Sequence, residues 1–254
     1  MAVENPALNQ DAFSRGIAQA PASEHAGMTV AGTYAITAGL LILLALAGAF
    51  GWSQVEIMTV NGQDMALAPR WVWLAFLFTF VLAMVGAFAF RAAPIIAPLY
   101  ALTEGALLGV VSHYFELEFD GIVAQAVLAT LGVFLAVLIL YSTRIVKVTS
   151  RMILGVAAAM GGLAILYMTA WLFSLFGANL AFLYAPTPLG IALSIGIVIL
   201  GALNLIIDFD FIERMASSGA PSHMQWYAAF GLMLAIIWIY VSVLRLLALL
   251  RAGQ

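Results

Sequence analysis

Three acids and one arginine hold most of the chemistry this chain can offer. Asp208 and Asp210 close a long run, Met152 to Ile207, whose only ionisable side chains are Tyr167 and Tyr184. A charged side chain near the centre of a bilayer costs at least ~2.5 kcal/mol on insertion scales, so an acid kept there has a partner or a task. The two aspartates differ. Two residues along a helix is ~200° of rotation, so they cannot share a face. Asp210 stands four residues before Arg214, the spacing of a helix-surface ion pair worth ~0.3–0.5 kcal/mol, and reads as mostly solvated. Asp208 stands four after Asn204, seven after Gly201 and fourteen after Ser194. A stripe of small and polar groups faces protein or a water path, not lipid. Asp208 is therefore the leading candidate for a gate or pH sensor, with Asp210 beside it and Asn204 on its path.

Glu104 lies about ten residues into an apolar run, near the midplane at ~1.5 Å rise per residue. It must face the bundle and be neutral or paired. It is a candidate permeation or proton site; the plain alternative is a neutral glutamic acid hydrogen-bonded between helices. Arg91 closes another apolar run. Alone it reads as an anchor at the inner surface. Bridged to Asp208, it would hold two spans together until protonation loosened them. His113 reads as an interfacial residue before a pH sensor, and His223 as a cap or turn residue.

Other chemistries lack their groups. The chain has no cysteine, and its one lysine, Lys147, falls in a loop, which disfavours a Schiff-base pump. Ser112 and His113 are adjacent and interfacial, so an intramembrane serine protease is not built. No Gly-rich phosphate loop and no metal-ligand spacing occurs, and Asp-Phe-Asp is too short for a calcium loop. No enzyme and no cofactor is expected, and a metal site is left unassigned.

The elements that must position these groups follow from composition. The chain has 254 residues, 65% hydrophobic and 8% charged, with mean hydropathy +1.11. Soluble domains carry about 25% charged residues. The fold class is all-α polytopic membrane protein. About 20 apolar residues cross ~30 Å of hydrocarbon, which gives seven spans: 29–51, 71–90, 95–115, 122–141, 152–176, 187–209 and 225–250. Residues 1–28 read as a mobile polar tail, and 29–254 as a single seven-helix domain. The net charge of −3 and the lack of a basic run exclude a nucleic-acid partner.

Positive charge in short loops sets orientation. An inner N-terminus puts Arg15, Arg91, Arg144, Lys147, Arg151 and Arg214 inside, against Arg70 and Arg251 outside. Trp52, Trp71, Trp73, Tyr114 and Tyr184 then form an outer aromatic belt. The C-terminus comes out on the far side; Arg245, inside span seven, is the exception to a clean apolar crossing. Gly105-Ala106-Leu107-Leu108-Gly109 on span three, and Gly155 with Gly161-Gly162 on span five, mark close helix contacts.

The ordered set of segments resembles the Bax inhibitor-1 (transmembrane Bax-inhibitor-motif) family, its bacterial branch above all, across about residues 70–250. It is carried by Pro98-Leu99-Tyr100-Ala101-Leu102-Thr103-Glu104-Gly105, by Gln125 to Tyr141 leading into Lys147-Val148-Thr149, by Gly190 to Arg214, and by Trp226 to Leu247. The resemblance implies seven helices with the last one central, and a pH-sensitive calcium leak. It also implies an acid pair between spans six and seven, and an arginine latch from span two. Asp208 matches the sixth-span acid and Arg91 the latch. Span seven has no acid; Ala235 aligns with its expected place, and Asp210 or Glu104 would have to substitute.

Three functions fit. The first is a pH-sensitive calcium or cation leak gated near Asp208, in a bacterial plasma (inner) membrane with a cytoplasmic N-terminus. The second is a non-transporting regulator that binds another membrane protein, such as a membrane protease, through residues 1–28 and a loop at 208–224. The third is a proton-coupled transporter using Glu104. The partners are the lipid bilayer, a cation and, in the second reading, that membrane protein.

Overall fold

A computed structural model describes residues 27–60, 63–177 and 185–253. The tail expected over residues 1–28, apart from Gly27 and Met28, lies outside the described residues, as does Tyr184. Seven helices follow in order: α1 Val30–Ser53, α2 Val72–Phe88, α3 Ala93–Glu118, α4 Ile122–Ser142, α5 Ser150–Leu175, α6 Pro188–Ser217 and α7 Met224–Ala252. This is an all-α polytopic membrane fold. Six helices are long and apolar enough to cross a bilayer, α3 together with the 3-10 turn Phe90–Ala92 that leads into it. The helix α2 is apolar but shorter; its 17 residues span ~26 Å. Its surface is nonetheless lipid-like, with Trp73, Leu74, Phe76, Leu77 and Phe88 all exposed. A short apolar helix of this kind is accommodated by local thinning of the bilayer.

Local chemistry explains where the helices begin. Thr29, Thr149 and Thr187 precede α1, α5 and α6, and each hydroxyl accepts a bond from a backbone N–H in the first turn: Gly32 at 3.0 Å, Met152 at 3.2 Å and Gly190 at 3.2 Å. These are N-caps. Pro188 occupies the first position of α6, where its missing N–H is not needed. Pro98 instead lies inside α3 and removes one helical hydrogen bond there.

Three expectations are corrected. The helix of span six does not end at residue 209. The helix α6 continues to Ser217 and stops where Gly219 takes φ 78°. The acidic segment is thus helical throughout, and Asp208, Phe209, Phe211 and Ile212 are buried. The loop expected at 208–224 shrinks to residues 218–223. Between α1 and α2 stands an element absent from the reading above, an antiparallel hairpin of β1 Glu56–Val60 and β2 Gln63–Leu67 with Glu56 opposite Leu67. Its signal was in the sequence: Asn61-Gly62 between two five-residue segments marks a two-residue hairpin turn.

The described chain divides into two compact units. One holds residues 27–123 with Phe211–Met233, and the other Ala124–Asp210 with residues 234–253. In the first, α1 meets α3 backbone to backbone. A Cβ on Gly109 would strike the Gly48 backbone, one on Gly105 the Leu44 carbonyl, and one on Gly51 the Ala106 backbone. The GxxxG expectation is thereby resolved: it packs α3 on α1. The start of α7 belongs to the same unit. Tyr227, Ala228, Ala229, Phe230, Leu232 and Met233 are 0–1% exposed, so nearly two turns are covered on every side, as in a core helix. Tyr100 meets Phe230 edge to face at 5.2 Å, and the Tyr227 hydroxyl donates to the Ala87 carbonyl at 3.0 Å, near the end of α2.

Gly109→Leu should cost ~3 kcal/mol or more through overpacking, whereas Gly132→Ala, on an open face, should be neutral or stabilising by up to ~1 kcal/mol. Thermal unfolding of both variants in detergent checks this. Equal midpoints for Gly109→Leu and the parent would refute the α1–α3 contact.

Candidate functional site

The helix α6 brings two of the expected residues together. The Asn204 side-chain amide donates to Asp208 Oδ2 at 3.0 Å, one turn apart on the same face. Asp208 is 2% exposed, and Ser194, two turns before Gly201, is 1% exposed. Gly201 is buried as well, and a Cβ there would lie 3.0 Å from Ile239 Cγ1 and 3.5 Å from Trp238 Cδ1 of α7. The Ser194–Gly201–Asn204–Asp208 stripe therefore faces protein, as its period required. Phe209 anchors the other side of the helix. It is fully buried, edge to face with Phe134 at 5.8 Å and tilted against Tyr141 at 5.8 Å.

Asp210, two residues on, is half-buried rather than fully solvated, while Glu213 and Arg214 are exposed. Arg91 is exposed and sits in the 3-10 turn Phe90–Ala92. Glu104 is half-buried, in the middle of α3 and one turn after the buried Tyr100. Arg91 and Glu104 belong to the first compact unit, and Asn204, Asp208 and Asp210 to the second.

The histidine and glutamate at the end of α3 are structural. His113 Nδ1 is 3.0 Å from the Trp52 carbonyl, and the two rings are 4.6 Å apart. Tyr114 donates to the Ala66 carbonyl of the hairpin at 3.2 Å. Glu116 lies in the last turn of α3. Its two oxygens accept from Gly121 N at 2.7 Å and Val123 N at 2.9 Å, so one carboxylate ties the α3–α4 turn and caps α4 at the end where negative charge is favoured.

The sequence model of the Bax inhibitor 1 like family matches residues 5–252. The chain belongs to that family. No curated protein and no solved structure matches it.

Within this Bax inhibitor 1 like chain the span-seven position bears on Asp208. Residues 218–223 join α6 to α7, so the two run antiparallel. Ala235 is buried, 8% exposed, and carries no group that can share a proton. The donor that Asp208 meets on its own helix is the Asn204 amide.

Replacing Asn204 by Leu removes that donor from a buried carboxyl and should lower stability by ~1–3 kcal/mol. Chemical unfolding in micelles reads this directly, and an unchanged midpoint would contradict it.

Proposed function

We propose that this membrane protein is a pH-sensitive leak for calcium or another cation, gated near Asp208. The observation that carries the reading is a carboxyl only 2% exposed in a long apolar helix, held by Asn204 at 3.0 Å. A hydrogen bond to a carboxylate is stronger than one to a neutral acid. Protonation of Asp208 therefore weakens the grip on Asn204 and loosens α6 as pH falls. Glu104, half-buried midway along α3, supplies the negative charge that favours cations. Arg91 is the proposed latch. It is exposed, and an exposed ion pair is worth ~0–1 kcal/mol, so its part is to tune the gate rather than to set it. The lysine and arginine distribution supports a cytoplasmic N-terminus, and the resemblance to the bacterial branch of the family supports a bacterial inner membrane.

Proteoliposomes loaded with a calcium dye test the proposal. Influx should rise as pH falls, stay high and lose its pH dependence in Asp208→Asn, which mimics the protonated acid, and weaken in Glu104→Gln. Arg91→Gln should shift the pH of half-maximal flux without abolishing it. Flux no greater than in empty liposomes at any pH would sink the leak reading. Proton movement that needs a co-substrate and vanishes in Glu104→Gln would favour the transporter instead.

A further inference from the structure

The second compact unit holds a cavity of ≈ 330 Å³ that the leak reading does not use. Its walls come from α5, α6 and α7: Tyr167, Ser194, Ser242 and Arg245 are the polar groups, with the Ser242 hydroxyl already donated to the Trp238 carbonyl at 2.7 Å, and Ile197, Trp238 and Val241 the apolar ones. The volume is in the ~300–1,000 Å³ range of ligand sites. Arg245 Nη1 donates to the Tyr167 hydroxyl, and its guanidinium carbon lies 5.7 Å from the centroid of that ring. Because that bond uses an oxygen lone pair of Tyr167, the phenol proton is left to donate elsewhere. The Ser194 hydroxyl is buried, 1% exposed, and has no hydrogen-bond partner among the described residues. An orphaned hydroxyl in a membrane interior is costly. Here it points to a ligand that answers it.

The lining has a cation and three hydroxyls and no acid, so its polar end suits an anion. The apolar end suits a hydrocarbon chain. Trp238 and Val241 are 40% and 41% exposed and open that end to lipid. Depth agrees. Arg245 is seven residues beyond the middle of α7, or ~10 Å from the midplane of a ~15 Å half-thickness. A guanidinium there lies just under the phosphate level and within reach of it.

We propose that this cavity binds an anionic phospholipid, its phosphate held by Arg245, Tyr167 and Ser194 and its acyl chain laid along Ile197, Trp238 and Val241. Bidentate guanidinium–phosphate pairing supplies the selectivity for phosphate, and the chain supplies retention.

The test uses the full chain in phosphatidylcholine nanodiscs, titrated with phosphatidylglycerol brominated on its acyl chains. Bromine quenches nearby tryptophan, and the difference between the parent and Trp238→Phe isolates the Trp238 signal. Saturable quenching by the anionic lipid is expected. Arg245→Gln should weaken it roughly tenfold or more, the effect of losing a hydrogen bond to a charged group. Ser194→Ala should weaken it several-fold while leaving thermal stability unchanged, because that hydroxyl loses no protein partner; this variant keeps the test valid if Arg245→Gln does not fold. Equal quenching by brominated phosphatidylcholine would overturn the proposal. So would unaltered binding in Ser194→Ala together with either Arg245→Gln or Tyr167→Phe. Displacement of the brominated lipid by inorganic phosphate alone would transfer the site to free phosphate and overturn the lipid assignment.

Discussion

Hydrocarbon offers no hydrogen bond, and the polar groups of this chain are arranged around that lack. An amide or hydroxyl between the two interfaces that finds no partner is costly, and most among the described residues find one inside the protein, Ser194 and Thr79 being exceptions. Other buried threonines answer by bonding back along their own helices: Thr37 to Thr33 O at 2.9 Å, and Thr130 to Ala126 O at 2.7 Å. Tyr227 answers by reaching the end of α2. Asn204 and Asp208 answer each other, as do Tyr167 and Arg245. The Tyr227–Ala87 and Arg245–Tyr167 pairings join different helices and so constrain how those helices are turned toward each other.

The same constraint clarifies what kind of switch Asp208 can be. A carboxyl shared with a second acid switches by moving one proton between equals. A carboxyl held by an amide has a fixed donor and switches by a change in its own strength as acceptor. Membership of the Bax inhibitor 1 like family is compatible with either arrangement. Ala235, buried where the resemblance implies an acid, has no proton to share.

Much of this was readable from residue order. The face of α6 was legible because small and polar residues recur at four and seven, and the interior position of Asp208 followed from that period alone. The helix N-termini carried their threonines openly. Other features were hidden for physical reasons. The charged segment after Ile207 looked like an exit from the membrane, since hydropathy cannot tell a charge leaving lipid from one buried against protein. The hairpin was lost because a window sized for membrane spans averages over two short strands. The α4 cap by Glu116 and the meeting of Ser194 with Tyr167 and Arg245 are non-local. They arise only after helices distant in sequence have packed, and no spacing announces them.

Pro98 has a mechanical meaning for the acid beyond it. The Pro94 carbonyl loses its helical partner there, so α3 is weakest about six residues before Glu104. A bend of ~20° at that point would swing the Glu104 backbone sideways by ~3 Å over a lever of ~9 Å. The far arm of that lever is not free, however. Gly105 and Gly109 lock it against Leu44 and Gly48 of α1 with no side chain between the backbones. Helix α1 and the upper part of α3 therefore turn as one rigid beam, and any bend at Pro98 displaces both.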